Sequence, residues 1–144
     1  MTNYLDTKIN EILELTLQLK RYHMHSHPQT DGVSMLQLEI LKYVKTNKKL
    51  TMGDVASYLK ISMSSSTQLI ERLVGGKYIK RIHDIDDRRI VMLEITDEGI
   101  VELERSLSEM KDRMRKMYAT LTQNELDEYI KISRKIISNL AGDK

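Results

Sequence analysis

The chain of 144 residues contains no cysteine and only one proline, Pro28. The absence of cysteine excludes disulfides, thiolate nucleophiles, cysteine–zinc sites and thiol redox sensing. A single proline leaves room for long, uninterrupted helices. The sequence has no run of about 18 apolar residues, and its charged start lacks the apolar core of a signal peptide. We therefore expect a cytoplasmic, helix-rich single domain over residues 1–144.

The charge balance is nearly neutral, and recognisable catalytic motifs are absent. A net charge of +2 is too small to indicate a nucleic-acid partner by itself. The segment 72–81, however, carries Arg72, Lys77, Lys80 and Arg81 and no acid, which fits a DNA-binding patch or an ordinary solvated face. No glycine-rich phosphate loop, H-E-x-x-H or G-x-S-x-G is found. We expect no enzyme activity and no cofactor.

The most informative stretch, residues 50–99, predicts two short helices, a tight turn and two strands joined by a charged loop. Thr51 with Asp54, and Ser62, are placed to cap the two helices. Gly75 and Gly76 are expected to end the second helix with left-handed backbone. This order is typical of a winged helix-turn-helix, which places its second helix in the major groove of DNA.

With Asp87-Arg88-Arg89 just before the returning strand, this helix pair and hairpin resemble the MarR family of transcriptional regulators. The resemblance implies a mainly α (α+β) winged-helix fold with a DNA-binding core over 33–99. Residues 1–32 and 100–144 would form the dimerisation helices. It also implies a repressor that binds a pseudo-palindromic operator as a homodimer and is released by a small ligand.

The outer face of the second helix is the first candidate DNA contact. Its hydroxyls suit phosphates, the amide of Gln68 can read adenine, and an arginine reaches guanine or phosphate. Glu71 lies on the same face, where phosphates repel a carboxylate unless it pairs with a cytosine amine or a nearby arginine. The residues predicted to bind DNA from this helix are Ser64, Ser65, Thr67, Gln68 and Arg72, followed by Lys77 and Arg81.

The charged loop is the second candidate DNA contact. Arg88 stands where the family inserts an arginine into the minor groove, and Asp87 would orient a guanidinium. Arg89 is either a second DNA contact or an internal ion pair that ties the wing to the body. Asp84, Asp86 and Asp87 make this loop acidic, which favours an alternative function as a protein-interaction module that does not bind DNA.

Two long helices near the end of the chain carry heptad seams, which are narrower than the apolar stripe of a monomer core. A capping box of Thr122 and Glu125 opens the second of them. We therefore predict a homodimer. Its interface residues are Leu5, Ile9, Leu103, Leu107, Met110, Met114, Met117, Ile130 and Ile137.

Two further sets of residues suggest ligands. Tyr22, Met24, Met35 and Tyr43 would suit a pocket for a small aromatic molecule, as the family resemblance implies, although an ordinary core fits them equally. His23, His25 and His27 alternate and share a face only if extended, which leaves a metal-responsive regulator as an alternative. On a continuing helix they point apart, and we predict no metal site.

Overall fold

The computed structural model describes residues 3–25 and 32–142, with the side chains of residues 23–25 outside that description. In this part of the chain, helices dominate and two strands form one hairpin, which confirms the predicted fold class. The elements are α1 (Tyr4–His25), α2 (Met35–Thr46), α3 (Met52–Leu59), α4 (Met63–Gly75), β1 (Ile79–His83), β2 (Val91–Ile95), α5 (Asp97–Tyr118) and α6 (Gln123–Gly142).

The sequence predicts one domain, and the structure resolves two units, residues 1–33 and 34–144. The first unit contains α1. Its apolar side chains, Leu5 and Ile9 among them, are about half exposed, and no residue of α1 with a described side chain is buried. Over the described residues, no helix combines the length and the apolar character that a membrane span needs.

The core of the second unit lies between α2, α3, α4, the hairpin and the first turns of α5. The hairpin is antiparallel, with Ile79 opposite Ile95 and His83 opposite Val91. Leu50 adds a bridge to it, since its carbonyl accepts from the Leu93 amide at 2.8 Å. The fully buried large apolar side chains of this core are Ile40, Leu41, Val55, Ile70, Leu73 and Ile79.

Local caps set where the helices begin. Ser34 and Gln37 form a reciprocal capping box on α2, and Thr51 and Asp54 form another on α3. Hydrogen bonds from the Thr51 backbone and side chain hold the pKa of Asp54 below its usual value. Each box satisfies amides that have no partner within the helix, so these short helices begin where the sequence predicts.

Thr96 joins α5 to the helix-turn-helix, which is formed by α3 and α4, and to the wing, which is the β1–β2 hairpin. Its hydroxyl donates to the Lys77 carbonyl at 2.6 Å, and its amide donates to the Tyr78 carbonyl at 3.0 Å. The same hydroxyl accepts from the Gly99 amide at 3.0 Å and caps α5. One residue therefore fixes the start of α5 against the segment that connects α4 to β1.

Candidate DNA interface

The recognition helix α4 exposes a polar stripe. Ser64, Gln68 and Arg72 are spaced by four residues, so they lie on one face of the helix, and all three are exposed. Ser65 is exposed beside them, and Thr67 is half-buried. The Ser62 hydroxyl caps α4 by accepting from the Ser65 amide at 3.1 Å. This exposed face has the chemistry that base edges and phosphates require.

The inner face of α4 contains one polar side chain without a partner. Ser66 is fully buried beside Ile70 and Leu73, and its hydroxyl makes no hydrogen bond within the described structure. A buried hydroxyl that loses its water without gaining a partner lowers the free energy of unfolding.

Ser66→Ala is therefore expected to raise the free energy of unfolding by about 1 kcal/mol. The change removes an unsatisfied hydroxyl and leaves the exposed face of α4 intact. Urea denaturation of Ser66→Ala and of Ser64→Ala, the exposed control for helix propensity, measures the difference. Equal stability of the two variants would show that the buried hydroxyl costs nothing.

Lysines, and not glycines, take the left-handed positions that end α3 and α4. Lys60 has φ 53° and Lys77 has φ 64°, whereas Gly76 has φ −75°. In both cases the next amide reaches back five residues, from Ile61 to the Ala56 carbonyl (3.1 Å) and from Tyr78 to the Leu73 carbonyl (2.9 Å). These are Schellman caps. A lysine accepts some backbone strain there and places its charge at the negative helix end.

The prediction that Gly75 and Gly76 take left-handed backbone is therefore wrong. The reason for a glycine at position 76 is space, because a Cβ there would lie 2.9 Å from the ring of Tyr78. Lys77 itself is exposed at the end of α4. Its backbone carbonyl accepts from Thr96, so its position is fixed close to the recognition helix.

The loop of the wing, residues 84–90, is built by its own carboxylates. One oxygen of Asp84 accepts from the amides of Asp86 (2.8 Å) and Asp87 (3.1 Å). Asp87 binds Arg89 through both carboxylate oxygens, at 3.0 and 3.1 Å. This pairing lowers the pKa of Asp87 and raises that of Arg89. Two of the three acids thus shape the loop and neutralise one arginine.

Arg88 is the exposed cation that this loop leaves unpaired. Its backbone carbonyl accepts a hydrogen bond from His83 Nδ1 at 2.9 Å, which fixes the backbone at Arg88. Among the described residues, neither Arg88 nor Arg72 nor Lys77 has an ion-pair partner. The guanidinium that Asp87 orients is that of Arg89. Arg89 forms its ion pair within the wing and not with the body of the protein, so neither alternative for Arg89 is shown, and its contact with DNA stays a prediction.

Arg81 and Glu71 form an ion pair that connects the wing to the recognition helix. Arg81 Nη2 donates to Glu71 Oε1. On the other side of β1, Lys80 binds Glu94 at 2.7 Å, which raises the pKa of Lys80. Glu71 and Arg81 are ten residues apart, so sequence spacing could not reveal the pair, although a nearby arginine was the condition for accepting Glu71 on this face.

Of the residues predicted to bind a small ligand, Tyr22 and Met24 belong to the first unit and Met35 and Tyr43 to the second, so their grouping stays a prediction. Tyr43 stacks on Tyr58 with ring centroids 3.9 Å apart and planes within 3°, and Met35 is exposed. Tyr22 lies on α1, and the side chain of Met24 is outside the described residues. The backbone of His23 and His25 belongs to α1, while His27 and the other two imidazoles also lie outside the described part.

Most residues predicted at a dimer interface are exposed or half-buried. Ile130 is 45% exposed and Ile137 is 63% exposed, and α6 has no buried residue. Met114, Tyr118, Leu121 and Leu126 line an apolar cleft of about 500 Å³ where α5 turns into α6. The exception is Leu103. It is 2% exposed within its own chain, so we remove it from the predicted interface and assign it to the core.

Comparison with known proteins agrees with this geometry. Residues 31–90 match the MarR family. The HTH-type transcriptional repressor MdtR of Bacillus subtilis (strain 168) is 28% identical over 132 residues, which span 92% of this chain and 85% of that protein. The crystal structure of YusO from Bacillus subtilis superposes with a TM-score of 0.74 at 27% identity, over 96% of this chain and 98% of the other.

A third similar structure contains a ligand. The PcaV transcriptional regulator from Streptomyces coelicolor, in complex with its natural ligand, superposes with a TM-score of 0.67. It is 19% identical to this chain and covers 88% of it, with 89% of the PcaV chain covered in return. At this level of identity the likeness shows the fold alone.

Proposed function

Because residues 31–90 match the MarR family, we propose that the protein is a transcriptional repressor that binds a pseudo-palindromic DNA site as a homodimer. The observation that carries the proposal is the exposed stripe of Ser64, Gln68 and Arg72 on α4, together with the exposed and unpaired Arg88 on the wing. In a dimer, two α4 helices would enter successive major grooves and two wings the flanking minor grooves.

The dimer part of the proposal is supported by exposed apolar surface. Family regulators dimerise, and here several apolar side chains on the seams of α5 and α6 are exposed in the single chain. Leu107 and Met110 are half-buried, and Met114 and Met117 are exposed. With Ile130 and Ile137 they provide the contacts that a second copy would cover.

Release of the DNA by a small ligand is a further part of the proposal. PcaV binds its natural ligand on the same fold, and Tyr22, Met24, Met35 and Tyr43 remain the residues we assign to such a site. Thermal melts of the protein against a panel of small phenolic and aromatic acids would detect binding, because a ligand of the folded state raises the melting temperature.

Selection of genomic fragments with the purified protein, followed by footprinting, tests the proposal. A footprint with two half-sites about one helical turn apart is expected. If the dimer neutralises about six to eight phosphates, the log–log slope of affinity against salt is about −5 to −7. No enrichment of any fragment, with binding that is flat in salt, would instead support the protein-interaction module.

The wing and the recognition helix should contribute differently. Arg88→Ala is expected to weaken binding by about 1–3 kcal/mol, most strongly at A·T-rich flanks, because a narrow minor groove rewards an inserted cation. Gln68→Ala should change the preferred base at one position of each half-site. Binding-site selection on both variants and the wild type measures these effects.

Thermal melts control for folding, since Arg88 lies on a loop and Gln68 on an exposed helix face. If Arg88→Ala binds every flanking sequence as tightly as the wild type, the wing is a structural hairpin without a minor-groove contact. If Gln68→Ala keeps the wild-type base preference at all positions, this side chain does not read base edges.

A further inference from the structure

The ion pair between Glu71 and Arg81 places a negative charge on the face proposed to meet DNA. Glu71 follows Gln68 by three residues and precedes Arg72 directly, so its carboxylate lies at the edge of the recognition stripe. Its side chain is 55% exposed, and that of Arg81 is 33% exposed. Both groups are therefore accessible to a phosphate backbone that approaches α4 and the wing together.

Arg81 can neutralise a phosphate fully only after it leaves Glu71. Binding to DNA without the specific site depends almost entirely on phosphate neutralisation, whereas binding to the specific site also gains base contacts. Release of Arg81 leaves the Glu71 carboxylate facing the bases, where a cytosine amine placed at the specific site can donate to it, whereas random sequence offers such a partner only by chance. The carboxylate therefore lowers non-specific affinity by a larger factor than specific affinity.

We propose that Glu71 is a specificity-determining residue that holds Arg81 in an ion pair and so suppresses binding to DNA that lacks the operator. The inference rests on the proposed DNA binding. Nothing comparable restrains Arg72, Lys77 or Arg88, which have no ion-pair partner among the described residues. Glu71 thus restrains one cation of the interface and leaves three free.

The neighbouring pair of Lys80 and Glu94 provides a matched control. Successive residues of a strand point to opposite faces, so Lys80 and Arg81 lie on opposite sides of β1. Lys80 and Glu94 face each other across the hairpin and bind at 2.7 Å. Glu94→Gln removes the same charge, from the same kind of exposed pair, on the side of the hairpin away from α4.

The test measures binding of full-length variants to a 30-base-pair duplex of random sequence and to the operator found by fragment selection. Glu71→Gln is expected to bind the random duplex about tenfold more tightly, because opening an exposed ion pair costs roughly two- to fivefold per protomer. Its salt slope should steepen by about one for each phosphate newly neutralised. The affinity of Glu71→Gln for the operator should rise less, so the ratio of operator affinity to random-duplex affinity falls. The control Glu94→Gln should change its affinity for either duplex by no more than about twofold.

A double-mutant cycle with Arg81→Gln separates restraint of the arginine from simple repulsion. In the Arg81→Gln background, Glu71→Gln should gain only about twofold, since no cation remains to be released. Equal gains in both backgrounds, or no gain from Glu71→Gln in a variant with wild-type melting behaviour, would overturn the inference. A wild-type protein that binds neither duplex would instead overturn the proposed function.

Discussion

Gly99→Ala is expected to lower the free energy of unfolding by about 3 kcal/mol. A Cβ at position 99 would lie 2.1 Å from the Tyr78 carbonyl oxygen and 2.8 Å from Ile95 Cγ1, which is well inside contact distance. The Tyr78 carbonyl cannot move freely, because it accepts from the Thr96 amide at 3.0 Å. The added methyl group therefore forces the start of α5 away from the hairpin.

Thermal unfolding measures this effect, and a loss of about 10 °C in melting temperature is expected for a chain of this size. Gly75→Ala is the matched control, because a Cβ there meets nothing within 4 Å. That variant should be neutral or more stable by about 0.5 kcal/mol, since alanine favours helix over glycine. If Gly99→Ala has the same melting temperature as Gly75→Ala, the junction between the hairpin and α5 is packed less tightly than the structure shows.

Glutamate at both Ile130 and Ile137 is expected to convert the proposed dimer to a monomer and to weaken operator binding by at least about 100-fold. The two side chains lie on the seam of α6 and are exposed within the single chain, so the change leaves the described core intact. Dimerisation would then bury two carboxylates of each protomer in an apolar interface, and an unpaired buried charge is strongly unfavourable. A monomer then contacts only one half-site.

Sedimentation velocity and fluorescence anisotropy with the operator measure both effects. Ser138→Glu adds a charge next to Ile137 on the same helix, about 100° around the axis, and should remain dimeric. A wild-type protein that sediments as a folded monomer at micromolar concentration would contradict the proposed assembly. So would a double variant that stays dimeric.

Features that depend on neighbouring residues were predictable from the sequence. The capping boxes at Ser34, Thr51 and Thr122 join residues three apart, and each forms as the sequence predicts. Helical spacing also predicts Ser66, Leu69, Ile70 and Leu73 on the inward side of α4, and all are buried except Leu69, which is half-buried. Local chemistry and periodicity carry this information without knowledge of the fold.

Features that depend on the tertiary arrangement were not predictable. Gly75-Gly76 is a typical helix-ending pair, yet Lys77 takes the left-handed position, and Gly76 is needed for the space that the ring of Tyr78 occupies. Leu103 fits the heptad seam of α5, but its side chain is buried in the core of its own chain. His83 beneath Arg88 carries no sequence signal at all, since it is the hairpin that brings its ring to that carbonyl.

Because the start of α5 is held by hydrogen bonds at Thr96, a small change in the tilt of this helix becomes a large displacement at its other end. A helix of 22 residues is about 33 Å long, and Thr96 at its start donates to the carbonyls of Lys77 and Tyr78. A tilt of about 5° would therefore move the far end of α5, near Tyr118, by roughly 3 Å, which is close to the spacing of adjacent base pairs. In the proposed dimer, a ligand that displaced the far end of α5 by this distance would shift the two α4 helices out of register with successive major grooves.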